Sequence, residues 1–216
     1  MGALLYISVC TRPDVAYAVM NLTRYLHCHQ EEHYDAALRV LRYLKTTENL
    51  GLVFTKQTAG EMNIVLFSDA DLGGDHSFRS TSGYVIFVND TPVAWHSGLQ
   101  STIAQSTFES EYVALNQGIK DSYFVKYMMD DVRRVESMIV VRTDSEKLVQ
   151  SLHSGNIINS KKVRHLNLKA HWIMERMEVK QVVVGHVRGL ENPADIFTKA
   201  LPKPAFVNHR EKLVRS

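Results

Sequence analysis

The sequence predicts an α/β fold: a mixed five-stranded sheet, three antiparallel strands then two parallel ones, flanked by helices and preceded by a small helical segment. Two observations carry this. Three β-prone runs, 64–68, 83–88 and 92–95, follow one another with only short Gly- or Asn/Asp-containing connections between them, as in a meander. Two later runs, 138–141 and 181–184, alternate with amphipathic helical stretches, the pattern of parallel pairing. With 216 residues, 45% of them apolar and 22% charged, the chain is long enough to bury an ordinary core, which excludes disorder as its main state.

The elements follow in order. Pro13 suits a first helical turn, and Val15, Ala18, Val19, Leu22 and Leu26 continue at helical spacing. A second helix over about 32–46 carries the stripe Ala36, Leu38, Val40, Leu41, Leu44 and is stopped by Asn49 and Gly51. Leu52–Phe54 is β-prone. The polar stretch Lys56–Gly60 reads as a linker, dividing a helical segment, 1–60, from a main domain, 61–216. The buried-type run Ile64–Ser68 ends in Asp69, Gly73-Gly74 loops back to Gly83–Val88, and Asn89-Asp90 turns into Pro92–Trp95. A long helix over about 106–129 leads to a strand ending before Asp144. Helices near 145–153 and 161–177, a strand Gln181–Val184 and a closing helix from Pro193 complete the chain.

The formal net charge of +2 hides an asymmetry. Residues 1–154 hold 13 basic and 18 acidic side chains, net −5, whereas 155–216 hold 12 basic and 5 acidic, net +7. A basic face of this kind suits a polyanionic partner. No apolar run approaches the ~18–20 residues that cross a bilayer, and no signal-peptide pattern opens the chain, so a soluble intracellular protein without membrane association is expected. Cys10 and Cys28 have no paired metal spacing and suit a reducing compartment.

Four acids stand out. Asp69 and Asp144 follow buried strands, where ligand sites of open α/β sheets collect, although a strand-end Asp is also an ordinary turn former. Glu109 and Glu111 point about 200° apart on a helix, so only one can face the sheet. Glu111 shares its face with Ala114, Leu115, Gly118 and Ser122, a small apolar stripe suited to close packing. Glu109 is then a first-turn acid favoured by the helix N-terminus. Asp195 opens the last helix, where an acid is also at home. Four carboxylates at one sheet end repel one another unless cations neutralise them. Hard oxygen donors suit Mg²⁺ or Mn²⁺, and a pair of such ions serves phosphodiester hydrolysis.

These residues sit in recognisable segments: Thr11–Asp14, Ala37–Lys45, Ser68–Asp71, Arg79–Tyr84, Ser106–Tyr112, Thr143–Ser145 and Ala194–Lys199. In that order they resemble the C-terminal part of the reverse transcriptase polyprotein of copia-type (Ty1-like) LTR retrotransposons, which contains a ribonuclease H domain. The resemblance implies that residues from about 62 onward form a ribonuclease H-like domain and that the helical segment is the end of the polymerase thumb or connection region. It implies a divalent-metal-dependent endonuclease acting on the RNA strand of RNA–DNA hybrids. Asp69, Glu111, Asp144 and Asp195 would hold two Mg²⁺ ions, for which Mn²⁺ can substitute. His186 corresponds to a mobile histidine that assists proton transfer or product release. The reverse transcriptase polymerase domain of the same polyprotein is the implied partner. The implied location is cytoplasmic, within virus-like particles, with the nucleus as the alternative. Leu72 stands where family members carry Trp and Leu99-Gln100 where they carry Lys-Gln; neither change removes a metal ligand.

Hybrid recognition needs contacts to 2′-hydroxyls in the wide minor groove on one strand and to phosphates on the other. Lys161, Lys162, Arg164, His165, Lys169 and Arg176 lie on or beside one helix and are the candidate phosphate contacts, with Glu175 and Glu178 of the same helix favouring an ordinary solvated face. Gln105, Ser106 and Thr107 are candidate backbone donors that serve equally as a helix cap. His27, Cys28, His29 and His33 match no usual zinc spacing, and Trp95 and Trp172 read as core or sheet-face residues rather than stacking platforms. The competing reading is a catalytically inactive ribonuclease H-like module that binds hybrid or acts as a reverse transcriptase scaffold. Retention of all four acids speaks against it.

Overall fold

The structure is a computed structural model that describes residues 1–54, 63–133, 136–155 and 164–216, giving the backbone alone for Arg133 and for residues 164–169. The expected linker at 56–60, and with it the proposed boundary at residue 60, lies outside the described residues.

Three helices open the chain: α1 (Gly2–Cys10), α2 (Ala16–Thr23) and α3 (Glu31–Thr46). The helix expected from Pro13 to Leu26 is observed as a short 3₁₀ turn, Pro13–Val15, running directly into α2, and α1 is a separate helix before it. Arg12 fastens that turn. Its guanidinium grips Asp14 at 2.9 and 2.8 Å and reaches Thr47 Oγ1 at 2.8 Å, while Tyr43 Oη donates to Asp14 at 2.6 Å. Leu4, Val15, Val19 and Val40 form a small core among the three helices. Leu52–Phe54 is not a strand. Gly51 makes an isolated antiparallel bridge to Arg215, and Thr91 Oγ1 donates to Val53 O at 3.0 Å. These contacts occupy backbone groups that a strand would need for a ladder.

The sheet has the order β3-β2-β1-β4-β5, with β1 (Ile64–Asp71), β2 (Thr81–Val88) and β3 (Thr91–Leu99) antiparallel, and β4 (Ile139–Thr143) and β5 (Val182–His186) parallel to β1 and β4 respectively. The first strand is longer than the apolar run suggested. Pairing of Asp69 with Gly83 and of Asp71 with Thr81 carries the ladder through both acids, so Asp69 lies inside the strand. Asn89 and Asp90 both take positive φ, 49° and 62°, which the tight β2–β3 turn requires.

Alternation along β1 sends its side chains to two covered faces. Ile64 and Leu66 join Ile86, Leu115, Ile119, Ile139 and Val141 in the main core beneath α4 (Thr107–Arg133), α5 (Glu146–Ser154) and α6 (Arg164–Glu178). Val65 and Phe67 join Val85, Phe87, Ile196, Phe197 and Leu213 on the other face, under a short 3₁₀ segment, Pro193–Phe197, and α7 (Lys203–Leu213). Ala16 belongs to that second cluster, and Trp95 Nε1 donates to Ser8 O at 2.7 Å, so the N-terminal helices pack on the same face. The expected closing helix from Pro193 is therefore two pieces. Asn192 Oδ1 accepts from Ala194 N at 3.2 Å, winding a tight first turn, and the chain restarts as α7 only after Pro202.

Two glycines set these layers. A Cβ on Gly118 would lie 2.9 Å from Leu66 Cδ1 and 3.2 Å from Tyr84 Cγ, so α4 sits on the sheet at glycine distance, as its small stripe predicts. A Cβ on Gly83 would lie 2.6 Å from Thr198 Cγ2 and 2.7 Å from Phe197 Cβ. The bare strand surface beside Asp69 is what lets the C-terminal segment approach.

Candidate metal centre

Strand register assembles the acids. In the parallel β1–β4 pair Ser68 is opposite Thr143, so Asp69 and Asp144 follow side by side one residue further on. Glu111 arrives from above. Its helix is pinned by Gln100, whose Nε2 donates to Ser82 Oγ on β2 and to Ser110 O, both at 2.9 Å. Carboxylate oxygens of Asp69, Glu111 and Asp144 lie within 4.8 Å of one another, and among the described residues this is the one group of three or more His, Cys, Asp or Glu side chains so arranged. Glu109 points elsewhere. Its Oε2 accepts from Gln105 N at 2.8 Å, and Glu109 N donates to Ser106 Oγ at 3.2 Å, a capping arrangement that leaves Glu111 as the inward acid.

Asp195 comes from a different direction. Asn192 Nδ2 donates to Ser68 O at 3.0 Å and fastens the Pro193–Phe197 segment to β1. Asp195 does not belong to the group of three. Lys199 joins it to that group instead, its ammonium lying 3.2 Å from Asp195 Oδ2 and 3.4 Å from Asp69 Oδ2. Thr198 Oγ1 also donates to Asp69 Oδ2. Asp195 sits in a 3₁₀ turn rather than in the first turn of an α-helix, and that tight winding delivers Thr198 and Lys199 to Asp69.

The electrostatics fit a site built for added positive charge. Glu111 is 6% exposed, and its Oε2 is buried with no hydrogen-bond partner, as are Asp144 Oδ1 and Asp195 Oδ1. Burial, followed by repulsion from Asp69 and Asp144, pushes Glu111 up to about 9. Burial and then Asp69 push Asp195 up to about 7 and raise Asp144 above the ordinary carboxylate range. Burial works against the Lys199 ammonium, but Asp69 and Asp195 outweigh it and hold its pKa above that of a free lysine. Orphaned, mutually repelling carboxylate oxygens in one buried group are the donor set a hard divalent cation requires.

The remaining candidates divide. His186 ends β5; it pairs with Thr143, which sets it exposed beside Asp144. Gln105, Ser106 and Thr107 are exposed at the start of α4. Lys161 and Lys162 lie outside the described residues, and Arg164 and Lys169 fall on the backbone-only part of α6. Arg176 is partly engaged, with Nη2 at 3.1 Å from Glu175 Oε1. His33 Nδ1 accepts from Gln30 N at 3.0 Å and its ring stacks on Tyr25, a helix-start arrangement. Thr198, Lys199, Asn192 and Gln100 have no role in the site as read from sequence, although Gln100 marks a departure from the family and Thr198 and Lys199 end a matching segment. Thr198 and Lys199 carried a usable signal, three and four residues after Asp195 and so on one side of a single turn.

Sheet order and the placement of these acids define the class as a ribonuclease H-like fold. A solved structure, LC11-RNase H1 isolated from compost by a metagenomic approach, aligns with a TM-score of 0.50 at 21% identity, covering 63% of this chain and 92% of that one. No family model matches the chain. The retrovirus-related Pol polyprotein from transposon TNT 1-94 of Nicotiana tabacum is 33% identical over 209 residues, 95% of this chain and 15% of the polyprotein. Secreted RxLR effector protein 161 of Plasmopara viticola is 43% identical over 126 residues, 58% of this chain and 87% of that protein. The chain belongs to the copia/Ty1-type Pol polyproteins of retrotransposons and spans about 15% of the length of the polyprotein relatives it matches.

Proposed function

We propose that this chain is the ribonuclease H part of its polyprotein, a divalent-metal-dependent endoribonuclease that cuts the RNA strand of an RNA–DNA hybrid and leaves a 5′-phosphate and a 3′-hydroxyl. The observation that carries the reading is the convergence of Asp69, Glu111 and Asp144 within 4.8 Å, with a buried Glu111 oxygen left unpartnered. A scaffold that needed no cation would gain nothing from repelling acids held this close.

Asp69, Glu111 and Asp144 would hold Mg²⁺ or Mn²⁺, with Asp195 alongside. A bound divalent cation supplies positive charge against the phosphate oxygens and acidifies water. The protein does the positioning. Thr198 fixes Asp69, Gln100 fixes the turn of α4 that carries Glu111, and Asn192 fixes the segment that carries Asp195. Water adds to phosphorus as the P–O3′ bond breaks, and the departing oxygen takes a proton. His186, exposed next to Asp144, is placed to move protons at the mouth of the site. Exposed Gln105, Ser106 and Thr107 and the basic α6 region would meet the hybrid backbone, and the polymerase domain of the same polyprotein would deliver it.

The test compares labelled hybrid, duplex DNA and duplex RNA with and without Mg²⁺, using the 216-residue chain and Asp69→Asn. Hybrid-selective, Mg²⁺-dependent cutting that falls at least about a thousandfold in the variant is expected. Equal cutting by the variant would sink the reading. Hybrid binding without any cutting by the wild type would establish the inactive module instead.

A further inference from the structure

We propose that the outer ridge of α4 is a self-association surface, on which two copies of this chain pair with their α4 helices antiparallel and Phe124 of each seated against Tyr127 of the other.

The ridge is an apolar stripe without a cover among the described residues. Phe124, Tyr127, Met128 and Val132 stand at i, i+3, i+4 and i+8, one face of a helix, and are 69%, 62%, 54% and 80% exposed. Single exposed apolar side chains are ordinary on a protein surface; four in register make a patch. With about 150–250 Å² on a full aromatic side chain, the two rings show about 200–300 Å² to solvent and the four side chains together roughly 400–500 Å², the size at which a patch marks a contact site. The stripe is also held still. The Tyr127 ring centroid lies 5.8 Å from that of Tyr123, which packs at 5.5 Å from Trp172 and donates from Oη to Gln181 Oε1 at 3.1 Å. Fixed rings lose little side-chain entropy when they are covered.

Charge selects the occupant. A lipid surface or a nucleic acid selects a basic rim, whereas residues 120–134 hold four basic and three acidic side chains, a mixed set that suits protein. Lys126 is tied to Asp130, and Asp121 accepts from Tyr84 Oη. Among the described residues that leaves Lys120 and Asp131, both exposed, one at each end of the stripe. Such a face complements itself when turned end for end. In the antiparallel register that brings Lys120 to Asp131 of the second copy, Phe124 falls opposite Tyr127 of that copy, because both pairs are symmetric about the same point between residues 125 and 126. Agreement of the ionic and aromatic registers favours a second copy over an unrelated partner.

The stripe is remote from the acids. Phe124 follows Glu111 by thirteen residues, about 20 Å along the helix, and the antiparallel pair sets the two acid groups at opposite ends, about 40–45 Å apart along the helix axes. Pairing leaves both groups open and does not depend on the hydrolytic reading.

The patch is about half of a standard partner surface, so a reversible dimer with a dissociation constant near ~10 μM is expected. Sedimentation velocity of the 216-residue chain in EDTA, from about 1 to about 200 μM, measures it. Phe124→Glu, at a site already exposed, should weaken dimerisation at least about tenfold with the circular dichroism melt unchanged. Lys120→Glu and Asp131→Lys should each weaken it about five- to tenfold, and an equimolar mixture of the two should recover the wild-type constant, because each brings the other its opposite charge. If Phe124→Glu melts early, the charge-swap mixture still decides. Weakening in the single variants without recovery in the mixture would overturn the antiparallel pairing. A wild-type chain that stays monomeric at about 200 μM, or a dimer indifferent to Phe124→Glu, would overturn the surface itself and leave the stripe to a different partner.

Discussion

Glu111→Gln should stabilise the metal-free protein, and by more as the pH rises. The Glu111 carboxyl titrates at about 9 in the folded chain because it is buried and faces Asp69 and Asp144. The unfolded chain titrates near ~4.3. A raised acid pKa means that the folded state holds a proton the unfolded state has already lost, so stability is complete below the unfolded value and declines as pH climbs toward 9. At about 1.4 kcal/mol per pH unit, the cost accumulated between pH 5 and pH 8 reaches up to about 4 kcal/mol. Glutamine has the same shape and no charge, and it removes that slope. Urea unfolding of both proteins in EDTA at several pH values measures it. The gap between variant and wild type should widen with pH and narrow when Mn²⁺ is added, since the wild type offers the ion three carboxylates and the variant only two. Parallel stability curves would refute the electrostatic description of the site.

Other substitutions probe the supports. Gly83→Val should cost about 3 kcal/mol or more in urea melts, because its Cβ would meet Phe197 Cβ at 2.7 Å and push the Asp195 segment off the sheet. Asp14→Asn should cost about 3–5 kcal/mol, since Arg12, 7% exposed, would be left buried without its partner carboxylate; a change under ~1 kcal/mol would show the pair to be dispensable. Thr198→Val removes the hydroxyl that Asp69 accepts from, and hybrid cleavage should drop about tenfold with a melting shift worth about 1–2 kcal/mol.

Much of the site was legible because strand and helix periods are strict. A two-residue offset on α4 sends Glu109 to a cap and Glu111 to the metal group, and helical periodicity alone separates them. Register is what periodicity cannot supply. That Asp69 and Asp144 are neighbours follows from Ser68 pairing with Thr143, a contact 75 residues long in sequence. Lys199 escaped for a related reason: as a lone lysine in a basic tail it resembles a solvated charge, and only the 3₁₀ winding after Asn192 brings it to the acids. α1 escaped because Gly2–Cys10 is apolar nearly all round and shows no stripe, with Leu4 and Ser8 buried and Tyr6 and Val9 exposed. The β-prone Leu52–Phe54 misled because local propensity cannot foresee that Gly51 bridges to Arg215.

The hydrogen bond from Trp95 to Ser8 makes the protein its own optical gauge. Of the two tryptophans, Trp95 lies where the N-terminal helices meet β3, while Trp172 lies on α6 with its ring centroid 5.5 Å from that of Tyr123. Loosening of the first helices would bring water to one indole and leave the other dry. Single-tryptophan versions, each keeping one of the pair, would therefore report separately on the docking of α1 and on the opening of the layer beneath α6. Coincident denaturation curves from the two would mean that segment and sheet unfold as one unit; an early red shift confined to Trp95 would mean that the helices leave first.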